Sequence, residues 1–284
     1  MRASILASAV AGLYTAIVGA CGIAAAADGK PSRIVSINLC ADQLLLSLAD
    51  SQQILSLSSF ATDPTLSYLA EKAKQFPHDA GNAESVVGLN PDLVLAGRFT
   101  RLATREMLGR LGYRVVLLDT ARSVDASIKQ IREIAELVGH IQRGEALIGE
   151  IETAQREAEA RAASQRHTVA FYQRRGYVTG GDTLTGDLLR IVGLTNTGGS
   201  LAGKSGGFVP LEKLIADASD YIIMSATSRA AEDQGSALLA HPALVELYPP
   251  ERRIVLPDRL TVCAGPSLPE AFRHLGNAAG QLSR

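Results

Sequence analysis

From Gln142 to Ala163 the chain reads QRGEALIGEIETAQREAEARAA, without proline, with Leu147, Ile151, Ala154 and Ala158 recurring at i, i+4, i+7 and i+11. That spacing draws one apolar stripe along a helix. Glu, Arg and Gln crowd the other positions and leave the remaining face wet. A helix through the whole run is roughly 33 Å long at ~1.5 Å per residue. Gly144 and Gly149 weaken its opening turns by ~1 kcal/mol each relative to Ala. Short β-like runs alternate with helical patterns on both sides, so the stretch is expected to be a strut joining two lobes.

Ahead of the strut, strands are expected over 33–37, 54–57, 92–96 and 114–118, and helices over 41–49, 84–89, 101–111 and 125–138. Behind it, strands are expected over 168–171, 221–224 and 254–256, and helices over 183–192, 211–216 and 266–282. Such alternation predicts an α/β fold with mostly parallel sheets covered on both faces. The two halves also correspond. In AESVVGLNPDLVLAG, Glu84 precedes Asp92 by eight residues and an apolar strand follows; in LEKLIADASDYIIMSA, Glu212 precedes Asp220 by the same spacing. The expected organisation is a leader over 1–27, an N-terminal lobe over 28–123, connecting helices over 124–165 and a C-terminal lobe over 166–284.

Arg2, the apolar run Ile5 to Val18 and the small residues Ala25 to Ala27 form the pattern of a secretory signal peptide. Val18-Gly19-Ala20-Cys21 also fits a lipobox, so a lipid anchor at Cys21 stands as an alternative to a free periplasmic protein. Export would leave Cys40 and Cys263 where disulfides can form; sequence alone allows a bridge or two free thiols. Net charge is −1, which points to no nucleic-acid or anionic-membrane partner.

Gly198 to Ser205, GGSLAGKS, satisfies the P-loop pattern to the letter. That motif works only between a strand and a helix whose N–H groups cradle phosphate. Here a helical pattern precedes it and Gly206-Gly207-Phe208-Val209-Pro210 follows, so it is expected to be a helix end and loop. HExxH, and GxGxxG after a strand, are absent. An exported α/β hydrolase, testable at Asp182 or Asp187, remains the rival of another class. No cofactor and no direct metal ligation are expected.

Ligands of parallel α/β sheets bind beyond the carboxyl ends of the strands. The loops there carry Arg98, Phe99, Arg101, Tyr172, Arg174, Arg175, Tyr177, Arg229 and Arg259. Cys40, after the first strand, and His78, in a Pro/Gly-flanked loop, join these candidates. Arginine beside aromatic side chains suits a large, flat, anionic ligand.

RIVSINLCADQLLLSLAD (33–50), VVGLNPDLVLAG (86–97), LLRIVGLTNTGG (188–199) and VPLEKLIADASDYIIMSA (209–226), in that order around the strut, resemble the class III substrate-binding proteins of ABC importers. The resemblance implies two α/β lobes joined by one rigid helix, a ligand cleft between them and no enzymatic activity. The cargo it implies is a metal chelate: a ferric siderophore is favoured by the arginines, with a corrinoid or haem as alternatives. It further implies a monomer docking on an inner-membrane permease through one glutamate per lobe. Glu212 matches the C-terminal position; Glu84 and Glu106 are the N-terminal candidates.

Overall fold

The structure is a computed structural model that describes residues 29–162, 167–225 and 237–282. The predicted leader with Cys21 lies outside these residues, as does Arg229.

Two aspartates seed the two sheets in the same way. The Asp92 carboxylate accepts from the backbone N–H of Ser32 at 2.8 Å and of Arg33 at 3.1 Å, so the start of β4 (Leu93–Gly97) is fastened to the start of β1 (Ile34–Ser36). The Asp220 carboxylate accepts from the N–H and hydroxyl of Thr168, both at 2.8 Å. This fastens β10 (Tyr221–Ser225) to β6 (Thr168–Phe171), and the Thr168 donors hold the Asp220 carboxyl below its ordinary range. The eight-residue spacing in the sequence is therefore the spacing of one repeated unit. Its helices are α3 (Ala83–Leu89) and α9 (Leu211–Ala216).

The N-terminal sheet adds β2 (Ile54–Ser58), β3 (His78–Asp79) and β5 (Val115–Leu118), in the order β3-β2-β1-β4-β5. The C-terminal sheet adds β8 (Thr195–Asn196) and β11 (Arg253–Leu256), in the order β11-β10-β6-β8. Pairing within both is parallel. Read from β8, the second sheet repeats the order β2-β1-β4-β5 of the first. An antiparallel ribbon of β7 (Tyr177–Thr179) and β9 (Gly206–Phe208) stands apart from both sheets.

Helices α1 (Leu39–Leu48), α4 (Leu102–Arg110) and α5 (Val124–Leu137) complete the first half with the short α2 (Ala70–Ala73). Helix α6 (Ile141–Ala162) is the expected strut, displaced by one residue. Beyond it come α7 (Leu184–Ile191), α8 (Gly198–Ala202), α10 (Pro242–Leu247) and α11 (Leu268–Gln281). The short β3 and β8, the ribbon, α8 and α10 were not anticipated; each is too brief to show a period in sequence.

Ile151, Ala154 and Ala158 are buried as the stripe requires, but Ile148 takes the buried position expected of Leu147, which is only half-buried. Their small size is functional for packing. A Cβ on Gly276 of α11 would lie 3.3 Å from Cβ of Ala158, so these helices approach at the distance that alanine and glycine permit. Gly144 has a packing role as well, since a Cβ there would come within 2.6 Å of Cβ of Ala135 on α5. The stripe belongs to one apolar cluster that runs from β1, α1 and α5 through α6 to α7, α11 and β10. Each sheet has a smaller cluster on its other face.

Replacing Ala158 by Leu should force α6 and α11 apart and cost ~1–3 kcal/mol. Thermal unfolding followed by circular dichroism checks this; an unchanged Tm would mean that the helix pair tolerates a wider spacing.

Candidate functional site

Strand β1 is central in its sheet, so the loops after β2, β1 and β4 stand side by side at one edge. The loop after β1 opens α1: the Asn38 side chain accepts from the N–H of Cys40 at 3.0 Å and of Ala41 at 3.1 Å, capping the helix. Gly97, at the end of β4, is where Asn38 fits. A Cβ there would lie 2.3 Å from its side-chain nitrogen. Asp42, one turn into α1, accepts from the N–H of Ser58 at 3.1 Å and its hydroxyl at 2.5 Å, pinning α1 to the end of β2. Burial pushes the Asp42 carboxyl up to about 6 despite the hydrogen bonds from Ser36 and Ser58, which act the other way.

This frame presents two phenylalanines. Phe60 follows β2 in a turn closed by the Ala61 N–H to Ser58 C=O bond, and is 57% exposed. Phe99 follows β4 and is 85% exposed. In the strand order their loops lie on either side of the loop after β1. Large exposed aromatics on adjacent loops are an informative departure from ordinary surface composition. Phe99 was expected; Phe60 was missed, although the rule about strand ends, applied to β2, leads to it.

Cys40 and Cys263 form a disulfide, Cα to Cα 5.2 Å, across 223 residues of chain. It closes the question left open by the sequence, and it brings the end of β1 against the turn that follows β11. The carboxyl edges of the two sheets therefore face each other across this bond. The Cys40 sulfur can meet a ligand only as part of a neutral disulfide. Val262, beside it, is exposed.

The remaining candidates separate. Arg98 pairs with Asp119 at 2.7 Å, both exposed, where such pairs are weak, and Arg259 pairs with Glu270 at 3.6 Å, both half-buried. Arg101 is exposed. Arg174 and Arg175 sit at the end of β6 in a turn closed by the Gln173 N–H to Tyr177 C=O bond at 2.7 Å. Arg175 has φ +60°, a conformation uncommon outside glycine that recurs at ligand-contacting loops. Tyr177 donates to the Ser205 carbonyl at 3.1 Å and meets Phe208 edge-to-face at 5.5 Å on the ribbon. His78 is exposed on β3, the outermost strand, two strands from β1.

Tyr172 must be corrected. Strand alternation turns it with Ala170 away from α6, into the core beneath α9 and α10, where it is fully buried. Burial, and after it the charge of Glu212, pushes its hydroxyl pKa upward. It supports the loop that carries the arginines and does not line the cleft.

The P-loop pattern is disposed of by geometry. Helix α8 lies before the lysine, and Lys204 follows Gly203 beyond the helix end. The glycines serve close packing: a Cβ on Gly198 would fall 1.9 Å from the Thr179 carbonyl oxygen, and one on Gly180 2.2 Å from that of Lys204. Among the described residues no group of three His, Cys, Asp or Glu side chains is placed to hold a metal ion.

Glu84 and Glu212 are exposed in the first turns of α3 and α9. Each helix precedes the strand of its repeated unit, so the two glutamates hold equivalent places in the two halves. Glu106 is exposed on α4, outside this repeated unit.

Two parallel-sheet lobes on a common helix, with facing carboxyl edges, define a cleft-type binding protein. The profile of the family described as periplasmic binding protein matches residues 34–248, and the chain belongs to that family. Members of that family are substrate-binding proteins and not enzymes. A curated relative, a cobalamin-binding protein of Halobacterium salinarum, is 28% identical over 222 residues, or 77% of this chain; the match spans 60% of the relative's length. The fold is also that of a periplasmic heme-binding protein of Roseiflexus sp. RS-1, with TM-score 0.72, 23% identity and coverage of 88% and 97% of the two chains. An ABC-type Fe3+-hydroxamate transport protein of Saccharomonospora viridis gives TM-score 0.68, 19% identity and coverage of 88% and 94%.

The raised Asp42 pKa sets a sign for pH dependence. The folded chain holds this proton more tightly than the unfolded one, so the contribution of Asp42 is fully present below pH ~4 and lost as pH rises through about 6. Asp42→Asn should flatten that limb, which is at most ~3 kcal/mol. Urea unfolding from pH 4 to 7 measures it; an identical slope in the variant would assign the effect elsewhere.

Proposed function

We propose that the chain is the extracytoplasmic binding component of an ABC import system and that it captures a large, flat metal chelate of the corrinoid kind. The exposed pair Phe60 and Phe99 carries this reading. Two rings flanking one loop offer apolar faces to a planar macrocycle, and their exposure in the free protein is then repaid on binding. The cobalamin-binding relative supports the same cargo.

The sequence favoured a ferric siderophore on its arginines. Arg98 and Arg259 have acidic partners, which weakens that preference. Siderophore capture stays as the second reading because Arg174 and Arg175 sit on the loop after β6, with Arg175 held in a left-handed turn. In either case Phe60, Phe99 and Val262 would contact the chelate from the floor and N-terminal side, and Arg174, Arg175 and Tyr177 from the other. Glu84 and Glu212 would dock the loaded protein on the permease, their equivalence favouring Glu84 over Glu106.

The test is equilibrium binding of cyanocobalamin, ferrichrome and haemin, followed by tyrosine quenching, since the chain has 7 Tyr and no Trp. Cyanocobalamin should saturate the protein, and Phe60→Ala or Phe99→Ala should each weaken it roughly 10- to 100-fold, the worth of one aromatic contact. Preference for ferrichrome, abolished by Arg175→Ala, would install the second reading; silence toward all three would sink the chelate reading. Separately, Glu84→Arg or Glu212→Arg should abolish uptake by cells while leaving binding in solution intact. Uptake unchanged by both would remove these glutamates from docking.

A further inference from the structure

We infer that the Cys40–Cys263 disulfide is a strap that holds the cleft at a fixed opening, so that ligand residence depends on the bond. The position of the bond carries this inference. Cys40 lies in the first turn of α1, and Cys263 lies in the turn between β11 and α11. These segments belong to different lobes, which are otherwise joined through α6 and the apolar contacts around it. Two bodies joined along one helix can bend and twist about it. Joined at a second, separated point they can turn only about the line through both joints.

The surroundings of the bond reinforce the second joint. Leu44, one turn below Cys40, packs on Gly265, where a Cβ would come within 3.1 Å of its Cδ2. Gly265 has φ +118°, a conformation that other residues rarely adopt. Burial, and after it the Glu270 carboxylate on α11, push the phenol pKa of Tyr68, from the loop after β2, upward. The backbone N–H of Val124 donates to Asp187 on α7 at 2.9 Å. Each noncovalent contact can open on its own; the disulfide cannot.

The strap can be opened chemically at one end. Cys40 is half-exposed, whereas Cys263 is buried. A thiolate of a dithiol reductant would attack Sγ of Cys40 and form a mixed disulfide. Cys263 would leave as thiolate and take a proton from solvent. The reductant's second thiol then displaces Cys40, leaving two protein thiols and an oxidised reductant. A buried leaving thiolate is disfavoured, so the strap persists unless such a reductant acts.

The mechanical part rests on the two-lobe fold and the ligand part on the proposed function, so the two are read separately. Small-angle X-ray scattering and hydrogen exchange compare the oxidised chain, the chain reduced until two thiols titrate, and the Cys40→Ser/Cys263→Ser variant. Opening the strap should raise the radius of gyration by about 1 Å and speed exchange in residues 38–44 and 259–266, with circular dichroism unchanged. If the double variant does not accumulate, the reduced chain gives the same comparison. Dissociation of cyanocobalamin should be about fivefold faster without the bond, the effect falling on koff. Identical scattering and exchange in oxidised and reduced protein overturns the strap, whatever the ligand does. Loosened lobes with no binding of cyanocobalamin by either form would leave the strap standing and reject the cargo.

Discussion

The structure depends on a continuous apolar cluster that passes through α6. Its buried face, Ile148, Ile151, Ala154 and Ala158, is shared between α5 and α1 on one side and α11 and α7 on the other. Neither half can bury its inner face without this helix. At ~25 cal/mol per Å2 of apolar surface removed from water, such sharing outweighs any polar contact between the lobes. The price is shape. Ala158 and Gly276 must stay small for the helices to meet, which makes α6 a fixed axle and not a flexible linker.

On this axle the two halves present the same unit twice: a helix with an exposed glutamate, an aspartate at the foot of a strand, and a loop at its head. Asp92 and Asp220 fix the feet, so the heads of both sheets open in register toward the cleft. The loops differ where the chemistry differs. The N-terminal loops expose Phe60 and Phe99, and the loop after β6 carries Arg174 and Arg175.

Much of this was legible in the sequence, and the failures have physical causes. The strut, the alternation of strands and helices and the Glu–Asp repeat were all visible as periodicity. Tyr172 was misplaced because it sits at a strand end. Its pairing with Ala170 on the outer face becomes decisive only once α10, a helix of six residues, is known to cover that face. The neutralising partner of Arg98 is Asp119, 21 positions away and beyond any local pattern. Whether Cys40 and Cys263 join is a question of approach in space, which spacing cannot answer. Phe60 was hidden in a segment read only for its turn residues.

The disulfide also has a meaning in time. A chain delivered from its N-terminus brings out Cys40 early, and Cys263 follows only after 223 further residues. Between them lie both sheets almost entire, and the sequence places no other cysteine in that interval. Cys40 therefore waits for Cys263 through nearly the whole delivery, with no competing cysteine emerging over that interval. Oxidation of the pair then marks a molecule whose two halves have both arrived and met, a covalent record of completed assembly.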